Sequence, residues 1–225
     1  YNPAGSFREI KSSINPHTIE TLVEEALNEG VKGIIVDINS PGGNVVPSAE
    51  IADYISRITK PTVALIRDLG ASGAYWIASS CDIIVAHPYS YVGSIGVISG
   101  HVDVSGLAEA LGIKMTKFAT GAYKGMGNPF EPVTPEQEEI VMERLRPVHD
   151  GFVKSIAENR QLPVEHVASL ANGLVYLGKQ GKELGLVDVL GGTREALAVL
   201  EKLGNFKHAK IADYKPKQNF LSLLR

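Results

Sequence analysis

The stretch KGIIVDINSPGGN, residues 32–44, decides the fold. Its first half, residues 32–38, is a short run of apolar and β-branched residues, which is typical of a buried strand in a parallel sheet. Its second half contains Pro41-Gly42-Gly43 and predicts a turn. Apolar residues at helical spacing predict a helix on each side, over 15–30 and 47–58.

The alternation of strand and helix continues along the chain and favours an α/β fold with parallel strands. We expect a helical C-terminal region that begins with a capping box at 134–137, and we expect Pro147 to kink its first helix. The further predicted strands are 61–66, 82–86, 114–119 and 207–214, the predicted loop is 67–71, and the further predicted helices are 72–80, 105–111, 134–160, 163–170, 178–184 and 193–203.

Composition indicates one globular domain over residues 1–225. The chain is 44% hydrophobic and 21% charged, with a net charge of −3 and no basic patch, which argues against a nucleic-acid partner. The single cysteine, Cys81, excludes an internal disulfide, and we expect its thiol to be buried. No apolar run reaches the roughly 20 residues of a membrane span, so the chain itself reads as soluble.

Two glycine-rich turns are candidates for chemistry. Gly42-Gly43, after the first strand, could expose backbone N–H groups that hold an oxyanion, although a plain strand-to-helix turn would have the same sequence. Ser72, in Gly70-Ala71-Ser72-Gly73-Ala74, lies among small residues between a predicted strand and helix. That is where a nucleophile would be accessible, with the N–H of Gly73 beside it, and it is also where a helix-capping serine occurs.

The residues alone do not identify which side chain would act as general base for such a serine. Lys124 lies in a segment without carboxylates, which suits a lysine base but equally suits a surface loop. Ser94, in Gly93-Ser94-Ile95-Gly96, could hold an amine through its hydroxyl or could simply be a small turn residue. No histidine has a partner at metal-binding spacing. His87 and His101 are each expected to end a strand and remain open as alternatives, whereas His149 and His166 are expected to face solvent.

Four motifs in this order resemble the signal peptide peptidase A family, serine peptidases of the ClpP/crotonase fold. The resemblance covers about residues 20–195, with residues 205–225 as a C-terminal tail, and it includes Gly181 where the family has alanine. The motifs are Asn39-Ser40-Pro41-Gly42-Gly43, Gly70-Ala71-Ser72-Gly73-Ala74-Tyr75-Trp76, Val92-Gly93-Ser94-Ile95-Gly96-Val97 and Gly121-Ala122-Tyr123-Lys124, followed by Gly173-Leu174-Val175-Tyr176 and Leu184-Gly185-Leu186-Val187-Asp188.

The resemblance implies a fold of repeated β-β-α units and a role for each motif. Ser72 matches the nucleophile, Lys124 its general base, and Ser94 the serine that orients the lysine amine. The backbone N–H groups of Gly43 and Gly73 match the oxyanion hole. The dyad of this family needs neither a metal nor a cofactor.

The resemblance also implies a biological setting. Members hydrolyse residual signal peptides at the membrane with the catalytic domain outside the cytoplasm, and they form ring-like or dome-like homo-oligomers in which serine and lysine can come from neighbouring protomers. From the sequence we expect that the N-terminal membrane anchor, and the strand that precedes the first helix in this family, are absent.

Three alternatives remain open at this stage. A ClpP-like Ser-His-Asp peptidase would use His101 in place of Lys124. A crotonase-type acyl-CoA enzyme would use the same backbone oxyanion hole with a carboxylate base. A non-enzymatic assembly protein would need neither Ser72 nor Lys124.

Overall fold

The computed structural model describes residues 15–215, and all structural statements concern that range. The helices are α1 (Pro16–Asn28), α2 (Val45–Ser56), α3 (Gly73–Ser79), α4 (Ser105–Ala110), α5 (Pro135–Arg160), α6 (Val164–Leu170), α7 (Gly178–Glu183) and α8 (Thr193–Leu203). The strands are β1 (Ile34–Ser40), β2 (Thr62–Ala71), β3 (Ile83–Ala86), β4 (Tyr91–Gly93), β5 (Val175–Leu177) and β6 (Val189–Leu190).

The described residues fall into two compact units. One comprises the chain up to Ile95 and again from Val153 onward, and the other comprises Gly96–Phe152. The first unit contains all six strands, and the second contains α4 and the first part of α5. The expectation of a single domain stays a prediction.

The long strand β2 is the centre of the sheet. Its first half pairs in parallel with β1 along one edge and with β3 along the other, and its last three residues pair in parallel with β4. Strand β6 extends the sheet beside β3 in parallel, and β5 pairs with β4 antiparallel. The predicted α/β fold with a parallel sheet is therefore confirmed.

A buried apolar cluster covers one face of the sheet. Val63, Leu65 and Val85 from β2 and β3 pack against Ala196 and Leu200 of α8. Ala64 and Ile66 of β2 are buried as well, so this strand needs apolar residues on both faces, whereas β1 is only partly buried and exposes Asp37. Cys81 is buried as predicted, and burial raises the pKa of its thiol to about 12.

Several predicted elements were wrong. Residues 67–71 are the second half of β2 and not a loop, because Leu69–Ala71 pair with β4 and Gly70 also pairs with Ser40 of β1. Residues 114–119 and 207–214 form no strand in the described chain. The helix predicted over 134–160 is present as α5 with Pro147 inside it, and the expected kink stays a prediction.

In the part of the chain that the structure describes, no helix is both long enough and apolar enough to cross a membrane.

Candidate active site

Ser72 lies at the junction of β2 and α3 in a backbone conformation that serine rarely adopts. Its φ is 53° and its ψ is −127°. Such a positive φ costs a non-glycine residue about 1–3 kcal/mol and persists only where the surroundings enforce it. A sharp strand-to-helix turn of this kind presents a serine side chain at the end of a sheet, as in hydrolases that use a serine nucleophile.

Ser94 lies beside Ser72 because β2 and β4 pair in parallel. Ala71 is opposite Gly93 in the register, and both strands end there. The N–H of Ser72 donates a hydrogen bond to the Gly93 carbonyl at 2.8 Å. Ser94 follows with its own positive φ of 51°, and its N–H donates to the Leu174 carbonyl at 2.7 Å. Two half-buried serines in strained turns therefore end neighbouring strands.

Gly42 lets the loop after β1 approach Ser72 closely. Its φ is +104°, and a Cβ on it would lie 2.8 Å from the Ala71 carbonyl oxygen, from the Gly73 nitrogen and from the Ser72 Cβ. The N–H of Gly42 in turn donates to Ser40 Oγ at 3.2 Å. No residue with a side chain fits between this loop and Ser72.

Two backbone N–H groups beside Ser72 have no acceptor among residues 15–215. They belong to Gly43, which is exposed, and to Gly73, the first residue of α3. The two residues are close, since a Cβ on Gly73 would lie 3.4 Å from the Gly43 nitrogen. Two free donors next to a serine are the arrangement that stabilises an oxyanion in acyl transfer.

The helix that follows Ser72 is fixed by polar contacts with the C-terminal part of the chain. Tyr75 is fully buried, and its hydroxyl donates to the Leu186 carbonyl at 2.9 Å. Burial raises the pKa of Tyr75. Trp76 Nε1 donates to Ser155 Oγ of α5 at 2.7 Å. These contacts hold α3, and with it the strained turn at Ser72.

Lys124 belongs to the second unit, whereas Ser72, Ser94, Gly43 and Gly73 belong to the first. It is exposed, in a run of turns where its N–H donates to the Gly121 carbonyl at 3.3 Å. Next to it, the Tyr123 hydroxyl donates to Glu136 at 2.5 Å. The structure thus brings together four of the five predicted site residues.

The histidines do not supply an obvious base. His101 is in the second unit, does not end a strand as predicted, and its Nε2 lies 3.3 Å from the Glu131 carbonyl. His87 is exposed at the end of β3 and accepts the Tyr89 N–H through Nδ1 at 3.3 Å. His166 is half-buried with Nε2 at 2.9 Å from the Leu184 carbonyl, and the His149 side chain is 34% exposed, so both are only partly exposed to solvent. Among the described residues, no cluster of acidic, histidine and cysteine side chains could hold a metal ion.

Sequence reasoning missed one residue beside the site, Ser48. It is 6% exposed on α2, and its Oγ would be 2.2 Å from a Cβ on Gly73. The spacing contained a signal, because Ser48 continues the buried stripe of Ile51, Ala52 and Ile55, where an apolar residue is expected.

Comparison with known proteins identifies relatives of this chain. It is 38% identical over 194 residues to a protein of Methanocaldococcus jannaschii named "Putative protease", and 36% identical over 191 residues to an Enterococcus faecium protein named "Putative signal peptide peptidase SppA". These matches cover 85% and 84% of this chain but 62% and 56% of the relatives' own lengths. A chloroplast serine protease SPPA of Arabidopsis thaliana is 31% identical over 177 residues, which are 77% of this chain and 26% of that protein.

Two family models match the sequence. The model described as Clp protease matches residues 6–87, which agrees with the α/β architecture and confirms the ClpP/crotonase-like fold. The model described as peptidase family S49 matches residues 55–207, a range that includes Ser72, Ser94 and Lys124. The chain belongs to peptidase family S49.

Proposed function

We propose that this chain is a serine endopeptidase that uses a Ser–Lys dyad. Ser72 is the nucleophile, Lys124 is the general base, and Ser94 orients the lysine amine. The N–H groups of Gly43 and Gly73 form the oxyanion hole. Membership of family S49 and the protease names of the relatives support this proposal.

One observation carries the proposal: Ser72 is strained at the end of β2 beside two unsatisfied N–H groups. A capping serine would need no positive φ, and α3 receives no side-chain hydrogen bond from Ser72. A plain turn at Gly42-Gly43 would have no reason to approach Ser72 so closely. The nucleophile and oxyanion-hole roles account for both features together.

The proposed reaction is acyl transfer through a covalent intermediate. Neutral Lys124 takes the Ser72 hydroxyl proton as the oxygen attacks the peptide carbonyl, and the negative charge on the carbonyl oxygen is held by the two N–H groups. The carbon–nitrogen bond then breaks, and Lys124 passes the proton to the leaving amine. Water, activated by Lys124, attacks the acyl-enzyme and releases the acid with regeneration of Ser72.

The proposal requires that Lys124 be desolvated in the working enzyme, because lysine has a reference pKa of about 10.4 and acts as a base only when neutral. Lys124 is exposed in the single chain. The same unit exposes large apolar side chains, among them Ile98 at 94% and Phe118 at 92%. A homo-oligomer of the ring-like or dome-like kind would cover this surface and could supply the desolvation.

Peptide segments with small and apolar residues, such as residual signal peptides, are the proposed substrates. The Enterococcus faecium relative is named as a putative signal peptide peptidase, and the close approach of Gly42 leaves little room near Ser72. A peptide could add as a strand beside β5, which ends the order of the sheet. Action at a membrane, outside the cytoplasm, completes the proposal.

Single substitutions of the dyad test the proposal. Ser72→Ala and Lys124→Ala should each lower turnover of an apolar peptide by about 10³-fold or more, with unchanged far-ultraviolet circular dichroism. Turnover by the wild-type protein should rise with pH towards alkaline values, because a lysine base must lose its proton. Lys114→Ala, at an exposed lysine of the same unit, is the matched control and should keep wild-type turnover. Undiminished turnover in either dyad variant would contradict the dyad.

A further inference from the structure

A buried serine outside the dyad lies against the proposed oxyanion hole. Ser48 occupies the fourth position of α2, with 6% of its surface exposed. The other buried residues of this helix are apolar: Ile51, Ala52 and Ile55. A hydroxyl in such a stripe is stable only when it is hydrogen-bonded.

The hydroxyl of Ser48 is held on the backbone that carries the oxyanion loop. Ser48 Oγ donates to the Asn44 carbonyl at 2.8 Å, and the Ser48 N–H donates to the same carbonyl at 3.2 Å. Asn44 follows Gly43 directly and is the cap residue of α2, although its own side chain makes no capping bond. The double contact therefore fixes the backbone immediately after the Gly43 donor.

The other side of Ser48 faces the second donor. A Cβ on Gly73 would lie 2.2 Å from Ser48 Oγ and 2.9 Å from Ser48 Cβ. The Ser48 hydroxyl thus fills the space that a side chain on Gly73 would take. Helix α2 packs on α3, and the Ser48 side chain and the Gly43 nitrogen are the nearest atoms to the position of a Cβ on Gly73.

We propose that Ser48 is a positioning residue of the oxyanion hole. Its hydroxyl, held by the Asn44 carbonyl and seated over Gly73, sets the separation between the start of α2 and the start of α3. The N–H groups of Gly43 and Gly73 can then donate to one oxygen. The inference rests on the proposed peptidase function and adds to it a residue outside the proposed dyad.

The position of two fixed donors matters more for the transition state than for substrate binding. Donors of an oxyanion hole act on the charge that develops during the reaction, and loss of one costs about 10²–10³-fold in kcat. Displacing the two N–H groups without removing either should lower kcat by a smaller factor. Ser48→Ala should therefore lower kcat by about tenfold, with little change in KM.

The test measures kcat, KM and the melting temperature of Ser48→Ala in the purified protein with an apolar peptide. Ser56→Ala is the matched control, since it removes a hydroxyl that donates to the Asp53 carbonyl at 2.7 Å at the far end of the same helix. We expect a lower kcat for Ser48→Ala alone, at an unchanged melting temperature. A kcat within twofold of wild type, or a loss of kcat that only follows a lower melting temperature, would overturn the inference.

A rescue pair gives a second, independent readout. Gly73→Ala should lose turnover because its methyl group meets the Ser48 side chain. The double variant Gly73→Ala/Ser48→Gly lacks both contacting atoms, and its turnover should be at least about tenfold higher than that of Gly73→Ala alone. A folded Gly73→Ala protein with wild-type turnover, or a folded double variant without recovery, would contradict the contact. If the wild-type protein cleaves no peptide, the peptidase proposal itself fails. If the wild-type protein is active and the Ser48 variants behave like it, only the role of Ser48 fails.

Discussion

At the scale of single residues, Ser72 and Ser94 share one feature that the sequence does not reveal. Both have φ near +50°, a region that usually belongs to glycine. The strain at each is matched by a short backbone hydrogen bond, to the Gly93 carbonyl and the Leu174 carbonyl. Glycine-rich neighbours predicted turns at both places, but the strain depends on strand pairing between segments distant in the chain.

Gly42 gives the sharpest residue-scale prediction. Gly42→Ala adds a Cβ at 2.8 Å from Ser72 Cβ and at a φ of +104°, so the loop or Ser72 must move. We expect turnover to fall by about 10²-fold, since small displacements of reacting groups cost about that much. Peptide turnover and the melting temperature are the measurements.

Gly30→Ala is the control for this substitution. Gly30 also has a positive φ, +77°, but a Cβ on it would meet nothing within 4 Å. The control should lose about 1 kcal/mol of stability through backbone strain and keep wild-type kcat. Equal turnover in the two alanine variants would show that the approach of Gly42 to Ser72 has no functional role.

At the scale of elements, regular helices were predictable and short strands were not. Apolar spacing predicted a helix over 193–203, and α8 is Thr193–Leu203. Strands β4, β5 and β6 have only two or three residues each and were missed, because their stability comes from neighbours far away in the sequence. Charged residues Arg67 and Asp68, exposed in the middle of β2, made its second half look like a loop.

A buried ion pair ties the end of α5 to the turn before β6. Arg160 donates to both Asp188 carboxylate oxygens, at 2.8 and 2.5 Å, and to the Gly185 carbonyl. The side chains are 7% and 28% exposed. Arg160→Met should therefore cost about 3 kcal/mol of unfolding free energy, because it leaves the Asp188 carboxylate partly buried without its partner.

Urea unfolding measures this cost against a matched pair. Arg57→Met removes the ion pair with Asp53, whose side chains are 75% and 59% exposed. Exposed pairs contribute little, so we expect a change within about 0.5 kcal/mol. A similar small loss for both variants would mean that the Arg160 pair does not hold this end of α5.

At the scale of the whole molecule, the first unit could be anticipated more fully than the second. Ser72, Ser94, Gly43 and Gly73 lie close together because the parallel strands β1, β2 and β4 end at one edge of the sheet, whereas their catalytic roles stay a proposal. The segment 114–119, predicted as a strand, has apolar residues but pairs with no other strand in the described chain, and Met115 and Phe118 are exposed there. A pattern in sequence gives no indication of whether its partner lies in the same chain.

Assembly can be tested on the exposed apolar surface of the second unit. Phe118→Glu should leave the monomer folded, since 92% of Phe118 is exposed, yet it should reduce both the homo-oligomer and the peptidase activity that we propose. Light scattering on a size-exclusion column gives the mass. Leu203→Glu, at an exposed residue of α8, should keep both. A wild-type mass and wild-type activity for the Phe118→Glu protein would show that this surface takes no part in self-association.

The central claim concerns a covalent intermediate on one named atom. Intact-mass and peptide-mapping mass spectrometry, after a brief reaction with an activated apolar acyl ester, should find the acyl group on Ser72 of the wild-type protein. The Lys124→Ala protein should form less adduct by a factor of about 10² or more, because the serine lacks its proposed base. Acylation of another residue, or equal acylation of Ser72 without Lys124, would contradict the account.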